Sequence, residues 1–229
     1  MKYVYPTMLV LSFIMNVIVV LIISKKFKYT KFELLSMIVI ESFGFIVGGK
    51  LLTIITSEVT LKDFILVPFS SMGGVIGGLL CLVIYAIAFR KDLKYILILF
   101  MPSIPLMYAI GKIGCFVAGC CYGIPYDGLL HVSYHNSLVA PHNVNLLPIQ
   151  IIETLVFIFI FIYIIRYYYL NKMSIILIMK EIIICSIAKF ILEIFRYSHM
   201  NQIINANQVL CILLIIICLF YMLKIKKKV

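Results

Sequence analysis

Lys189, Glu193 and Arg196 stand four and three residues apart, so a helix that carries them puts two cations and a carboxylate on one face. Glu193 is expected to pair with Lys189 or Arg196, and Glu41 with Lys50. Lys112 sits in "GKIGCFVAGCCYG", residues 111–123, which packs four glycines, three cysteines and a lysine into thirteen positions. That stretch ends a long apolar run. Glu153, Lys180 and Glu181 also lie inside apolar runs. Ionisable side chains at membrane depth are costly and face a polar cavity or a partner. Cations are in surplus here, because Lys50, Lys112, Lys180, Lys189 and Arg196 face four glutamates. A positive surplus in a helical bundle invites an anionic ligand, and the plentiful anion in a membrane is a phospholipid phosphate. For Lys180 and Arg196 the plainer alternative is that they snorkel to an interface.

Glycines lie beside the charges. "MGGVIGG", residues 72–78, and the 111–123 stretch let backbones approach closely. They can also turn amide N–H groups toward a phosphate. Gly73, Gly74, Gly77, Gly111, Gly114 and Gly119 are therefore candidate substrate-binding positions, with tight helix packing as the alternative for some of them.

Cys115, Cys120 and Cys121 form C-x4-C-C, which is not a usual zinc spacing. Small packing residues are the expectation, with no cofactor and no metal. A metal site shared with loop histidines and a disulfide on the outer face are the alternatives. Cys120 and Cys121 are poor partners for each other, because a bridge needs about 5.5 Å between Cα atoms. Cys81, Cys211 and Cys218 lie in apolar runs as small hydrophobes.

The elements that must hold these residues follow from composition. The 229-residue chain is 64% hydrophobic with a mean hydropathy of +1.16, against roughly 45–50% apolar residues in a soluble domain. Apolar runs lie near 3–24, 33–56, 70–89, 95–116, 148–165, 173–195 and 205–223. Each is close to the ~20 residues that cross a bilayer. The first run is longer than a signal peptide's ~7–15-residue apolar region and lacks a small-x-small cleavage site, so it is expected to be a retained span.

Basic residues occupy every second connection. Lys25, Lys26, Lys28 and Lys31 follow the first run, and Arg90, Lys91 and Lys94 follow the third. Arg166 and Lys172 follow the fifth, and Lys224, Lys226, Lys227 and Lys228 form the tail. The alternate links are poor in cations: the second has Lys62 and 124–147 has none. The positive-inside rule then predicts an all-α polytopic membrane protein of about seven transmembrane helices. Its N-terminus lies outside and its C-terminus is cytoplasmic. The net charge of +11 encodes topology, and nucleic acid is not an expected partner. Residues 1–229 read as a single transmembrane domain with a short external head loop at about 124–147. That loop holds His131, His135, His142, Asp127, Asn136, Asn143 and Asn145, and its "LLHVSYH" alternation predicts a short strand or hairpin.

These stretches together resemble one family. "GKIGCFVAGCCYG" is similar to the G-R-I-G-N-F-x-N-G-E-x-[YW]-G signature of prolipoprotein diacylglyceryl transferases, with Tyr122 at its aromatic position. "GGKLLTII" (48–55), which includes Lys50, resembles that family's G-A-R-L-x-Y-V stretch, and "SSMGGVIGGLL" (70–80) its S-F-H-G-G-L-I-G-G block. "PIQIIETL" (148–155) is similar to H-P-S-Q-L-Y-E-A at Pro148, Gln150 and Glu153. "CSIAKFILEIFR" (185–196) resembles the Y-G-L-F-R-F-x-x-E-F-F-R block at Phe190, Glu193 and Arg196, and "NQVL" (207–210) falls where the family has G-Q-L-L/I-S.

The resemblance implies transfer of a diacylglyceryl group from phosphatidylglycerol to the thiol of a prolipoprotein lipobox cysteine, with release of glycerol phosphate. It implies a multi-pass protein of the bacterial cell membrane. Lys112, Lys189, Glu193 and Arg196 become the expected catalytic residues. Lys50, Tyr122, Gln150 and Glu153 join the six glycines as expected substrate-binding residues. The chain departs from the family's pattern at Lys112 and Lys189, where the family has arginine, and lysine cannot grip a phosphate bidentately. Met72 replaces the histidine of H-G-G, Cys185 the tyrosine, and Ala118, Gly119 and Cys120 the N-G-E. A loop histidine, a cysteine or an unprotonated lysine is then the expected proton acceptor. Two alternatives share the fold: a phospholipid-consuming transferase with another acceptor, and a non-catalytic lipid-binding membrane protein.

Overall fold

A computed structural model describes residues 4–56, 69–135, 137, 139–170, 174–200 and 203–226. Lys62, Asn136, Lys172, Lys227 and Lys228 lie outside the described residues.

Every apolar run is helical. The helices are α1 (Val4–Ser24), α2 (Lys31–Thr56), α3 (Ser71–Ala88), α4 (Leu93–Phe100), α5 (Ile104–Ala118), α6 (Ile149–Leu170), α7 (Ile175–Glu193) and α8 (Ala206–Lys226). A 3₁₀ turn at Met101–Ser103 joins α4 to α5, where Pro102 has no N–H to give the α-helical ladder. Counted together, Leu93–Ala118 makes one crossing of 26 residues. Among the described residues, six stretches are long and apolar enough to cross a bilayer. The seventh, α7, spans 19 residues but carries Lys180, Glu181, Lys189 and Glu193. The chain is an all-helical polytopic membrane protein.

Polar residues start the helices where hydrocarbon would leave amides orphaned. Thr30 and Glu33 form a reciprocal capping box on α2: the Glu33 amide donates to Thr30 Oγ1 at 3.2 Å, and the Thr30 amide to Glu33 Oε2 at 2.8 Å. Asn205 and Gln208 repeat it on α8 at 2.9 and 3.1 Å. Ser70, Asp92 and Ser174 cap α3, α4 and α7.

The chain divides into two units, one formed by Val17–Ile104 and the other by Met1–Asn16 with Pro105–Val229. In the first, α2 and α3 pack through two small-residue stripes. Gly44 and Gly48 on α2 meet Gly73 and Gly77 on α3 so closely that a Cβ on Gly73 would stand 2.5 Å from the Gly48 carbonyl oxygen. A Cβ on Gly77 would strike the Gly44 carbonyl oxygen. Gly74 faces the rings of Phe45 and Phe69, whose centroids are 5.0 Å apart. Van der Waals contact between helix backbones drives association in a membrane, where burial of apolar surface cannot. The Gly73 amide donates to Ser70 Oγ at 3.3 Å and the Gly74 amide to the Ser70 carbonyl at 3.0 Å, so these N–H groups complete the helix start.

In the second unit α6, α7 and α8 pack in sequence, and the segment between α5 and α6 is stitched to the end of α7. The Ile124 amide donates to the Phe195 carbonyl at 3.1 Å, and the Tyr197 amide to the Tyr122 carbonyl at 3.2 Å. Among the described residues of the loop only isolated bridges form, without the expected short strand or hairpin. Val132 and Leu146 exchange two hydrogen bonds of 3.0 Å, and single bridges join Pro125 to Leu146 and Tyr134 to His142. Leu129 and Leu130 are 93% and 86% exposed, so alternation in "LLHVSYH" has no layer to bury against.

Candidate active site

Four elements of the second unit bring the charges together. Lys112 and Tyr108 come from α5, Glu153 from α6, and Lys189 and Glu193 from α7. Arg196 follows one turn beyond α7, where the Gly123–Arg196 backbone bridge fixes it.

Glu153 is the hub. Lys112 Nζ lies 2.7 Å from its Oε2, Lys189 Nζ 3.2 Å from its Oε1, and Arg196 Nη2 3.6 Å from its Oε2. Tyr108 donates its hydroxyl to Glu153 Oε1 at 2.7 Å and accepts from Lys189 Nζ at 2.7 Å. Both lysine ammoniums also stand over the Tyr108 ring, 5.1 Å (Lys112) and 5.2 Å (Lys189) from its centroid. Glu193 is a second hub. It pairs with Lys189 at 2.6 Å and with Arg196 Nη1 at 3.4 Å, so the helical spacing read from the sequence makes both contacts. Asn207 donates to Glu193 Oε1 at 2.9 Å, and His199 Nε2 lies 3.1 Å from the same oxygen. Glu153 and Glu193 are fully buried, and Lys112, Lys189 and Arg196 nearly so.

Three cations face two carboxylates, which leaves one formal positive charge in the buried cluster. The Arg196 Nε–H has no hydrogen-bond partner among the described residues, nor has Gln150 Oε1. A donor and an acceptor thus stand ready for a ligand. Gln150 is otherwise held by Nε2, which donates to the Cys120 carbonyl at 2.9 Å and to Tyr134 Oη at 3.3 Å.

The 111–123 stretch does different things at its different glycines. A Schellman cap ends α5: the Cys120 amide donates to the Cys115 carbonyl at 3.0 Å and the Gly119 amide to the Phe116 carbonyl at 3.2 Å. Gly119 has the left-handed φ of +68° that this cap demands. Gly114 packs on Met8, where a Cβ would approach to 2.9 Å, while a Cβ on Gly111 would meet nothing within 4 Å. The same cap sets Cys115 and Cys120 side by side, and with Cys121 the three sulfurs all lie within 4.8 Å of one another. Hydrogen bonds with the Cys115 and Cys120 thiols hold the Cys121 thiol well below the ordinary cysteine value, and the charges of Lys112 and Arg196 act in the same sense.

Lys112, Lys189, Glu193, Arg196 and Glu153 therefore belong to one cluster, with Gln150 one turn before Glu153 on α6, and the Tyr122 and Tyr197 rings lie tilted with centroids 5.2 Å apart. Lys50, Gly73, Gly74 and Gly77 belong to the other unit, where Lys50 is half-buried on α2 and the glycines serve packing. Lys180 is exposed, with its Nζ 5.8 Å from the Tyr167 ring centroid. Arg196 instead turns inward. The sequence reading missed Tyr108, His199 and Asn207. The spacing of Arg196 and His199, three residues apart, was the one available signal. His131, His135 and His142 bond to the Gly128 carbonyl, Asn143 and the Ser137 carbonyl respectively.

The chain is similar to known proteins over most of its length. The profile of the prolipoprotein diacylglyceryl transferase family matches residues 2–224. A Clostridium tetani protein named phosphatidylglycerol–prolipoprotein diacylglyceryl transferase is 36% identical over 162 residues, which cover 67% of this chain and 64% of that protein. A Clostridium perfringens protein named as the second such transferase is 26% identical over 197 residues, 82% of this chain and 77% of its own length. One from Dehalococcoides mccartyi, with the same name as the first, is 38% identical over 82 residues, 35% of this chain and 32% of its own.

Proposed function

Because the chain belongs to the prolipoprotein diacylglyceryl transferase family, we propose that it transfers a diacylglyceryl group from phosphatidylglycerol to the cysteine thiol of a prolipoprotein lipobox. It acts in the bacterial cell membrane, with the α5 end and the 119–148 segment on the outer side and the C-terminus in the cytoplasm. The acceptor sulfur attacks the glyceryl CH2, a C–S bond forms, and the bond from that carbon to the phosphate ester oxygen breaks. Glycerol phosphate leaves with the bonding pair. The observation that carries this reading is the buried cluster's unbalanced positive charge beside an Arg196 Nε–H that has no partner among the described residues.

A phosphodiester supplies the one negative charge that balances the cluster, and an acceptor oxygen for the Arg196 Nε–H. Arg196 donates to the phosphate, and Lys112 and Lys189 neutralise the charge that grows on the leaving oxygen. Preorganised cations in a dry site stabilise such a transition state far better than water does. Glu153 and Tyr108 are positioning residues: they hold both ammoniums in place before the lipid arrives. Gln150 offers its Oε1 to a glycerol hydroxyl.

The proton acceptor is His199. Glu193 orients its imidazole at 3.1 Å and stabilises the imidazolium formed when the acceptor thiol gives up its proton. No such role falls to Met72, which stands where the family's histidine does. Gly111 is assigned to the lipid as well, because open space lies over it.

The test uses the full-length protein in detergent with phosphatidylglycerol and a synthetic peptide containing a lipobox cysteine. Mass spectrometry should find the peptide with a diacylglyceryl group added and glycerol phosphate released in equal amount. Consumption of the phospholipid with the peptide unmodified would overturn the acceptor. No consumption, beside a working reference enzyme, would overturn the transfer reading altogether.

A further inference from the structure

We propose that Cys115, Cys120 and Cys121 form a three-thiolate site for a thiophilic d10 cation, Zn²⁺ or Cu⁺, at the end of α5. This goes beyond the transfer reading and stands whether or not that reading holds.

The fold, not the linear spacing, makes the site. In a Schellman cap the third residue from the helix end and the second residue beyond it come into contact, and here those residues are Cys115 and Cys120. Cys121 then takes a left-handed φ of 54°, uncommon for a residue with a Cβ, and its sulfur joins the other two. All three sulfurs lie within 4.8 Å of one another. Three thiolates around one zinc with bonds of about 2.3 Å have their sulfurs roughly 4 Å apart. Closing from the observed spacing takes only small side-chain movements. All three are free thiols, and none is bridged to another.

Charge and access fit the same ligand. Divalent zinc on three thiolates carries one net negative charge, and a monovalent copper complex carries two. Lys112, one turn before Cys115 on α5, and Arg196, whose backbone is bridged to Gly123, bring positive charge to the same end of the helix. Cys115 is buried and anchors the site, whereas Cys120 and Cys121 are half-buried and admit a cation from the solvent side. Nothing in the transfer chemistry uses the trio. Each Zn–S bond displaces the proton of any of the three sulfurs that still carries one, so metal uptake acidifies a weakly buffered sample.

The experiment uses full-length protein in detergent, reduced with a phosphine and stripped with a chelator. Zinc is titrated against a chromophoric competitor, and Co²⁺ serves as the spectroscopic probe. One equivalent should bind per chain, with a thiolate-to-cobalt charge-transfer band. Cys120→Ser and Cys121→Ser should each weaken binding at least tenfold, and Cys81→Ser should leave it unchanged. In the wild-type protein, zinc should slow maleimide labelling of Cys120 and Cys121 at least tenfold without slowing that of Cys81, which keeps the test independent of variants that fail to fold. Equal zinc affinity in the cysteine variants, no charge-transfer band, or a Cys115–Cys120 disulfide that persists in protein purified without reductant would overturn the site.

Discussion

Lys112 Nζ lies 2.7 Å from Glu153 Oε2, and both side chains are almost wholly buried. The pair is unequal. Glu153 also receives Lys189, Arg196 and the Tyr108 hydroxyl, whereas Glu153 is the one carboxylate paired with Lys112 among the described residues. Removing one partner of a buried ion pair costs about 3–5 kcal/mol, because the other charge is left uncompensated. Glu153→Ala leaves three cations facing one carboxylate and should lose at least that much. Lys112→Met leaves Glu153 with two cations and should cost clearly less. Thermal unfolding in detergent checks the order; equal losses would mean that Glu153 is not the hub.

Lysine at positions 112 and 189 gives the cluster point charges where a guanidinium would grip bidentately. Lys189→Ala and Arg196→Ala should each lower transfer by about 10²–10³-fold, the usual loss when one preorganised donor to a transition-state anion is removed. Lys189→Arg should retain more activity than Lys189→Ala, provided the longer side chain still reaches both glutamates. Rates with labelled phosphatidylglycerol decide this. Wild-type turnover in Lys189→Ala would remove Lys189 from the chemistry.

His199 should be needed for rate rather than for lipid affinity. His199→Gln keeps a donor toward Glu193 but cannot take a proton, so kcat should fall about 10²-fold or more with KM for the lipid little changed. Wild-type kcat in His199→Gln would return the proton acceptor to the other histidines, a cysteine or a lysine.

Two glycines that look alike in the sequence should behave in opposite ways. Gly77→Ala drives a methyl group into the Gly44 carbonyl and should destabilise α2–α3 packing by about 1–3 kcal/mol. Gly111→Ala meets nothing within 4 Å and lies inside α5, so it should stabilise the helix by about 0.5–1 kcal/mol. Loss of transfer in a stable Gly111→Ala protein would mean that the lipid itself occupies that space. Full activity would remove Gly111 from the binding site.

Much of this was legible because hydrocarbon imposes simple rules. All seven apolar runs became helices, and the spacing of Lys189, Glu193 and Arg196 produced the contacts it promised. What the sequence hid was either long-range or conformational. Tyr108 is one aromatic among many in apolar runs, and only the meeting of α5, α6 and α7 sets it between Lys189 and Glu153. Pro102 breaks the fourth run into two helices without stopping the crossing. The C-x4-C-C spacing matched no familiar metal motif, because the contact it encodes exists only across a helix cap with Gly119 left-handed. The "LLHVSYH" alternation misled because strand patterning needs a layer to bury one face, and Leu129 and Leu130 face solvent or lipid instead.

Glu181 tests the opposite case from Glu153. It is 1% exposed on α7, and neither of its carboxyl oxygens has a hydrogen-bond partner among the described residues. A buried polar group without partners costs folding free energy, and replacing it by an apolar side chain of similar volume removes the cost without orphaning another group. Glu181→Met should therefore leave stability unchanged or raise it by about 1–3 kcal/mol, the range for burying a polar group unpaired, and transfer should be intact. A destabilised Glu181→Met protein would mean that the carboxyl holds a partner in the membrane. A stable protein without transfer would bring Glu181 into the reaction, one helical turn from Cys185, which stands where the family has tyrosine.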